Sequence, residues 1–216
     1  MRRPLLALFT AVALLATAAC GDSSESPGGT PSGGAAQPDK VNAGVIAILD
    51  VAPIYLGKEK GFFSKRNIDL TLTTAQGGAA IAPAVLSGQY QFGFSNAVSL
   101  LLAKSQNAPL KVVCNGVNST GAAEDFAGLY VKPDSGIQSP KDLVGKTVAA
   151  NTLKNIVETS VRASVRKDGG DAAAVKFTEL PFPEQVAALQ AGRVDAIFVV
   201  EPFQQAAVGA KARKIA

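Results

Sequence analysis

Between residues 41 and 117, apolar runs alternate with stretches that have the pattern of helices. The apolar or alternating runs predict β-strands at 41–49, 68–74, 90–95 and 110–117. The stretches between them predict helices at 52–63, 77–88 and 96–106, and Pro83 is expected in or near the first turn of the second helix. Strands that alternate with helices are typical of an α/β fold with a largely parallel sheet.

A small, polar segment at 118–126 interrupts this pattern, and a second series of the same elements follows it. Strands are predicted at 126–132, at the end of 139–150, at 175–180 and at 194–200. Helices are predicted at 152–169, 182–192 and 201–212. We therefore expect two α/β lobes, the first at 41–120 and the second at 121–200.

The N-terminal 40 residues have a different composition from the rest of the chain. Residues 1–19 place two arginines before a short apolar stretch and then small residues, which predicts a signal peptide. The segment LLATAAC resembles a bacterial lipobox, although Thr17 stands where leucine is usual, and it implies lipidation of Cys20. A transmembrane anchor or an ordinary secretory signal are the alternatives. Residues 20–40 are rich in Gly, Ser and Pro and predict a flexible tether.

The composition and charge of the chain exclude several kinds of catalytic and binding site. The chain has no histidine, which excludes a Ser-His-Asp or Cys-His nucleophile and a histidine-containing zinc site. Its formal charge of +4 comes without a block of Lys and Arg, so we expect no nucleic-acid partner. Cys114 reads as a small buried residue in a strand, and we expect no disulfide between it and Cys20. We also expect no metal and no cofactor.

Small or polar residues follow the predicted strands wherever a helix begins. These junctions are Asp50 to Pro53, Gln76 to Gly78, Ser95-Asn96 and Asn151-Thr152. Ligands of open parallel sheets bind at the carboxyl ends of the strands, and a helix N-terminus offers free N–H donors to an anion. Each junction also has a structural explanation, because Ser95-Asn96 can be a helix cap and Gly77-Gly78 a turn.

The order of several motifs gives a more specific resemblance. The segment from VNAGVIAILDVAPIYLGKEKGFF to GQYQFGFSNA, followed by LVGKTVAA and VAALQAGRVDAIFVVEPF, resembles the substrate-binding proteins of ABC importers. The subgroup that it resembles serves nitrate, taurine, alkanesulfonates and thiamine pyrimidine precursors. The resemblance covers about residues 41–210, essentially the whole folded part.

The resemblance implies a two-lobed periplasmic-binding-protein type II fold that closes on a small molecule. It also implies that residues 201–216 begin a return crossing toward lobe one, whose C-terminal part is then missing. We expect a lipid-anchored monomer on the outer face of the cytoplasmic membrane, with a permease and an ATPase as partners. The expected ligand-binding residues are Asp50, Pro53, Tyr55, Gly77, Gly78, Ser95, Asn96, Asn118, Asn151, Thr152 and Glu201.

Two questions stay open at this stage. The few aromatic and charged residues at the junctions favour a nitrate-, sulfonate- or taurine-like anion over a pyrimidine or another heterocycle. An enzyme that makes the pyrimidine precursor is a further alternative, but that chemistry uses a histidine and a pyridoxal cofactor, and this chain has no histidine.

Overall fold

The computed structural model describes residues 37–122 and 125–216. The predicted signal peptide, Cys20 and the tether up to residue 36 lie outside these ranges. Within the two ranges, no helix is long and apolar enough to cross a bilayer.

The first lobe is a small parallel sheet with helices between its strands. The elements are β1 (Asp39–Val45), α1 (Ala52–Glu59), β2 (Ile68–Thr74), α2 (Gly78–Leu86), β3 (Phe92–Gly93) and α3 (Ala97–Ser105). The strand order is β2-β1-β3, and β1 pairs in parallel with both neighbours. The buried core is correspondingly small and centres on Ile46, Ile81 and Tyr90.

The second lobe has a five-stranded mixed sheet in the order β6-β5-β7-β4-β8. Its elements are β4 (Ala127–Val131), β5 (Thr147–Ala150), α4 (Ile156–Lys167), β6 (Lys176–Glu179), α5 (Phe182–Gln190), β7 (Ala196–Val200), α6 (Phe203–Gly209) and β8 (Arg213–Lys214). The strand β5 runs parallel to β6 and β7, whereas β4 runs antiparallel to β7 and β8.

Both faces of this second sheet are covered, because its strands alternate between two cores. Along α4, Val157, Val161 and Val165 are buried on one side of the sheet, as their helical spacing predicts. On the other side, α5 and α6 pack against the sheet, and the rings of Phe182 and Phe203 stack with centroids 5.8 Å apart. The helices around β5 and β7 therefore have fixed positions, including the N-terminus of α4.

The predicted strand at 110–117 is wrong. None of the described residues forms a ladder with this segment, and Val112 and Val113 are about 70% exposed. Cys114 is consequently exposed and is not the buried residue that its apolar neighbours suggested. A strand forms by pairing with a neighbour, and an apolar run does not by itself supply that neighbour.

Two further local predictions concern β3 and Pro83. The strand predicted at 90–95 pairs only at Phe92–Gly93. Pro83 is the sixth residue of α2, just after the first turn. It has no N–H to donate to the carbonyl of Ala79, so the helix lacks one backbone hydrogen bond there.

The C-terminal residues lie mainly against the second sheet. The helix α6 packs on α5 and β7, and β8 pairs with β4. The carbonyl of Ala216 accepts a hydrogen bond from the backbone N–H of Leu129. A contact with the first lobe occurs at Glu201, whose carbonyl accepts from the N–H of Leu49 at 2.9 Å.

Candidate functional site

The two lobes meet where the carboxyl ends of their strands lead into helices. From the first lobe come Gln76 and Gly77 between β2 and α2, Gly78 as the first residue of α2, and Ser95 after β3. From the second lobe come Asn151 and Thr152 between β5 and α4. We call these six residues the interlobe seam. The sequence analysis expected five of them at a ligand site and placed Gln76 at a junction without giving it a role.

Two reciprocal hydrogen bonds join the lobes at the seam. The side-chain amide of Asn151 donates to the carbonyl of Gln76 at 3.1 Å, and the amide of Gln76 donates to the carbonyl of Asn151 at 3.0 Å. The pair is partly buried, and the two residues are 75 positions apart in the chain. Each amide fixes the backbone of the opposite lobe, so the two strand ends are held in one register.

Two glycines allow this close approach. A Cβ atom at Gly77 would lie 2.9 Å from Cγ2 of Thr152 and 3.1 Å from Nδ2 of Asn151, across the seam. A Cβ atom at Gly78 would lie 2.3 Å from the hydroxyl of Ser95 within the first lobe. The absence of side chains here is therefore required by space and not only by turn geometry.

Two buried polar atoms at the seam have no hydrogen-bond partner among the described residues. They are the hydroxyl oxygen of Ser95 and Oδ1 of Asn151. Leaving such an atom unsatisfied costs about 1–3 kcal/mol, so native proteins rarely retain one without a use for it. The hydroxyl can donate a hydrogen bond, whereas Oδ1 is a carbonyl oxygen and only accepts. The bond from Nδ2 of Asn151 to Gln76 fixes which end of the amide is the oxygen. A bound molecule with an acceptor and a donor would satisfy both atoms.

Asn96 serves as a helix cap. Its Oδ1 accepts from the backbone N–H of Ser99 at 2.9 Å, in the first turn of α3. A helix cap was the alternative to ligand binding for the Ser95-Asn96 pair, and the structure shows the cap at Asn96 only. Asn96 is occupied by the cap, and Ser95 is left with its hydroxyl unpaired.

A second interlobe contact joins residues four positions after Ser95 and Asn151 in the chain. The side-chain amide of Asn155 donates to the hydroxyl of Ser99 at 2.9 Å, and both residues are buried. The sequence analysis did not assign either residue to the site. The sequence places each of them at the start of a predicted helix. It does not predict their contact, because the two positions are 56 residues apart in the chain.

The other expected site residues follow β1 and β7, the strands next to those that lead into the seam. Asp50 is half-buried in a 3-10 turn before α1, and burial raises the pKa of its carboxyl above the ordinary value. Tyr55 lines an open, mainly apolar groove between α1 and Pro202 of the second lobe. Glu201 has one buried carboxylate oxygen, Oε2, without a partner among the described residues.

Two of the expected residues are not brought into this arrangement. Pro53 is exposed in the first turn of α1, where proline is favoured. Asn118 is exposed in the segment after α3, and no recorded side-chain hydrogen bond joins it to the seam.

Comparison with known sequences identifies relatives for most of the folded part. A family profile described as NMT1/THI5 like matches residues 49–215. The taurine-binding periplasmic protein of Escherichia coli K12 is 28% identical over 167 residues, which are 77% of this chain and 50% of that protein. The 4-amino-5-hydroxymethyl-2-methylpyrimidine phosphate synthase of Aspergillus parasiticus is 30% identical over 100 residues, which are 45% of this chain and 27% of that enzyme.

The fold has a counterpart among solved structures. The alkanesulfonate-binding protein SsuA from Xanthomonas axonopodis pv. citri bound to MOPS superposes with a TM-score of 0.70 at 21% identity. The match covers 84% of this chain and 62% of that structure. The predicted two-lobed periplasmic-binding-protein type II fold is thereby confirmed, and the chain spans about half the length of the curated taurine-binding relative. Since the family profile covers nearly all of the described residues, the chain belongs to the NMT1/THI5-like family.

Proposed function

We propose that this protein is the extracytoplasmic solute-binding component of an ABC importer. It captures a small molecule between its two lobes and delivers it to a permease that is driven by an ATPase. It carries out no chemical step on that molecule. The observation that carries the proposal is the seam itself, where strand ends of both lobes converge and leave two buried polar atoms unpaired.

The ligand that fits this site best is a small anion that also carries a hydrogen-bond donor. The hydroxyl of Ser95 lies beside Gly78, the first residue of α2, where free backbone N–H groups favour a negative charge. Oδ1 of Asn151 needs a donor, which an ammonium group offers and nitrate does not. An aminosulfonate such as taurine has both groups, and the similarity to a taurine-binding protein supports this choice.

Titration calorimetry tests the ligand class directly. The purified protein is titrated with taurine, methanesulfonate, nitrate and a hydroxymethylpyrimidine. We expect binding of taurine, weaker binding of methanesulfonate, and a loss of at least tenfold in taurine affinity in Asn151→Ala. Binding of the pyrimidine alone would refute the anion assignment.

A heterocyclic ligand is the second candidate. The exposed ring of Tyr55 beside Pro202 supplies a surface on which a planar ring can stack, and a pyrimidine phosphate synthase is among the relatives. The two candidates use different residues, Tyr55 for the ring and Ser95 with Asn151 for the anion. Tyr55→Ala should therefore abolish binding of a pyrimidine and leave binding of taurine unchanged.

We also propose that the protein is exported and held at the membrane by a lipid on Cys20. The support is the order of charged, apolar and small residues before this cysteine. Cys20→Ala should move the protein from the detergent-soluble membrane fraction to the soluble fraction. Retention of the variant in the membrane would count against lipidation. Genes for a permease and an ATPase beside this one would support the transport role.

A further inference from the structure

The N-terminal turns of α3 and α4 are joined by one buried contact between the lobes. Nδ2 of Asn155 donates to Oγ of Ser99 at 2.9 Å, and Oγ of Ser99 donates to Oδ1 of Asn155 at 3.2 Å. Ser99 is 4% exposed and Asn155 is 1% exposed, so water does not reach this bond. The two residues stand four positions after Ser95 and Asn151, the residues that carry the unpaired atoms of the seam.

This contact is the middle of a chain of hydrogen bonds that connects two helix caps. Oδ1 of Asn96 accepts from the N–H of Ser99 at 2.9 Å, which caps α3. Oδ1 of Asn155 accepts from the N–H of Ile156 at 2.8 Å, which caps α4. A buried polar network whose members are satisfied in this way favours one arrangement of the elements that it joins. The N-terminus of α3 is therefore fixed relative to that of α4.

We propose that Ser99 and Asn155 are positioning residues that set the separation of the two lobes in the closed protein. Because each lies four positions after a seam residue, their bond fixes the space between Ser95 and Asn151, and with it the size of the ligand that the seam admits. A ligand larger than this space must break the bond before the lobes can close. The part of the proposal that concerns ligand size rests on the proposed function.

Two substitutions remove the bond and leave both caps in place. Ser99→Ala removes the hydroxyl but keeps the backbone N–H that Asn96 caps. Asn155→Ser replaces one good N-cap residue by another whose side chain is too short to reach Ser99. Ser105→Ala is the matched control, because its hydroxyl donates to the carbonyl of Leu102 at the other end of α3.

The first measurement uses the ligand-free protein and does not depend on any ligand. Spin labels at the exposed Cys114 of the first lobe and at Lys167→Cys of the second, with Cys20→Ala, report the distance between the lobes. We expect the ratio of open to closed protein to rise about fivefold in Ser99→Ala and in Asn155→Ser. The double variant should show no further rise, and Ser105→Ala should match the unaltered protein.

The second measurement compares a small and a large ligand in the same variants. The affinity for taurine relative to that for the bulkier sulfonate MOPS should fall about fivefold when the bond is absent. An unchanged distance distribution in both variants would overturn the positioning role, and an unchanged affinity ratio would overturn the size limit. If neither ligand binds the unaltered protein, the proposed function and the size limit fail together, while the distances still decide the positioning role.

Discussion

Replacing Gly77 by alanine should prevent the lobes from closing fully. The added Cβ would lie 2.9 Å from Cγ2 of Thr152 and 3.1 Å from Nδ2 of Asn151, so the second lobe has to move away. The backbone of Gly77 is extended, with φ of 179°, and alanine adopts this conformation without strain. The substitution therefore acts on the contact between the lobes and not on the conformation of the first lobe.

The size of the effect follows from the bonds that this movement breaks. Gln76 and Asn151 exchange two hydrogen bonds at 3.0 and 3.1 Å, and each contributes about 0.5–1.5 kcal/mol net. Losing both disfavours the closed form by about 1–3 kcal/mol, or roughly 5- to 150-fold in the ratio of closed to open protein. A ligand that binds only the closed form loses affinity by up to the same factor.

The assay is the distance between labels at Cys114 and Lys167→Cys, combined with thermal unfolding. Gly77→Ala should lengthen the interlobe distance and leave the unfolding temperature within a few degrees of the original. Gly78→Ala is the matched comparison, because its Cβ would lie 2.3 Å from Oγ of Ser95 inside the first lobe. It should instead destabilise the first lobe by about 1–3 kcal/mol. Gly77→Ala with an unchanged distance distribution would refute this reasoning.

Three further predictions concern stability and exposure. The hydroxyl of Ser139 donates to Asp168 and lowers the pKa of its carboxyl below the ordinary value. This stabilisation therefore exists above the pKa of the unfolded chain and is lost as the pH falls through the folded pKa. Urea unfolding of Asp168→Asn and Ser139→Ala should show a loss at pH 7 that shrinks below about pH 4, and a constant difference would contradict it. Leu143→Ala should lower the free energy of unfolding in urea by about 3 kcal/mol, because Leu143 is fully buried. Val144→Ala, at the exposed neighbouring position, should lower it by less than about 1 kcal/mol, and equal losses in the two variants would exclude this explanation. Cys114 should react with a thiol reagent in the folded protein as fast as in urea, as followed by mass spectrometry of its peptide, and protection would place it in a buried segment.

Local patterns predicted most of the secondary structure, because the spacing of apolar residues and the caps that define a helix or strand lie within a few neighbouring residues. The alternation at 68–74 coincides with β2, and the valines of α4 are buried at the helical spacing that the sequence shows. The helix caps and the glycines after α4 and α5 are equally local. The segment at 110–117 has the same apolar character, but a strand also needs a partner, and the partner is set by residues far away in the chain.

The contacts between the lobes could not be predicted from the same information. Gln76 and Asn151 are 75 positions apart, and Ser99 and Asn155 are 56 apart. The sequence shows small and polar residues at each junction, which predicts that the junctions share an edge. It does not show which side chain faces which, because that depends on how the two sheets are placed. Gln76 and Ser99 were therefore missed as contacts.

The different contacts of Ser95 and Asn96 show what the sequence alone cannot predict. Both residues are good caps, and either could leave its side chain free for a ligand. The choice depends on Gly78, because the first turn of α2 lies so close that a Cβ there would be 2.3 Å from the hydroxyl of Ser95. That approach buries the hydroxyl without a partner, while the amide of Asn96 turns back onto its own helix at Ser99. The unpaired hydroxyl of Ser95 thus depends on a contact with a residue 17 positions earlier in the chain, and Gly78 is as much a part of the proposed site as Ser95.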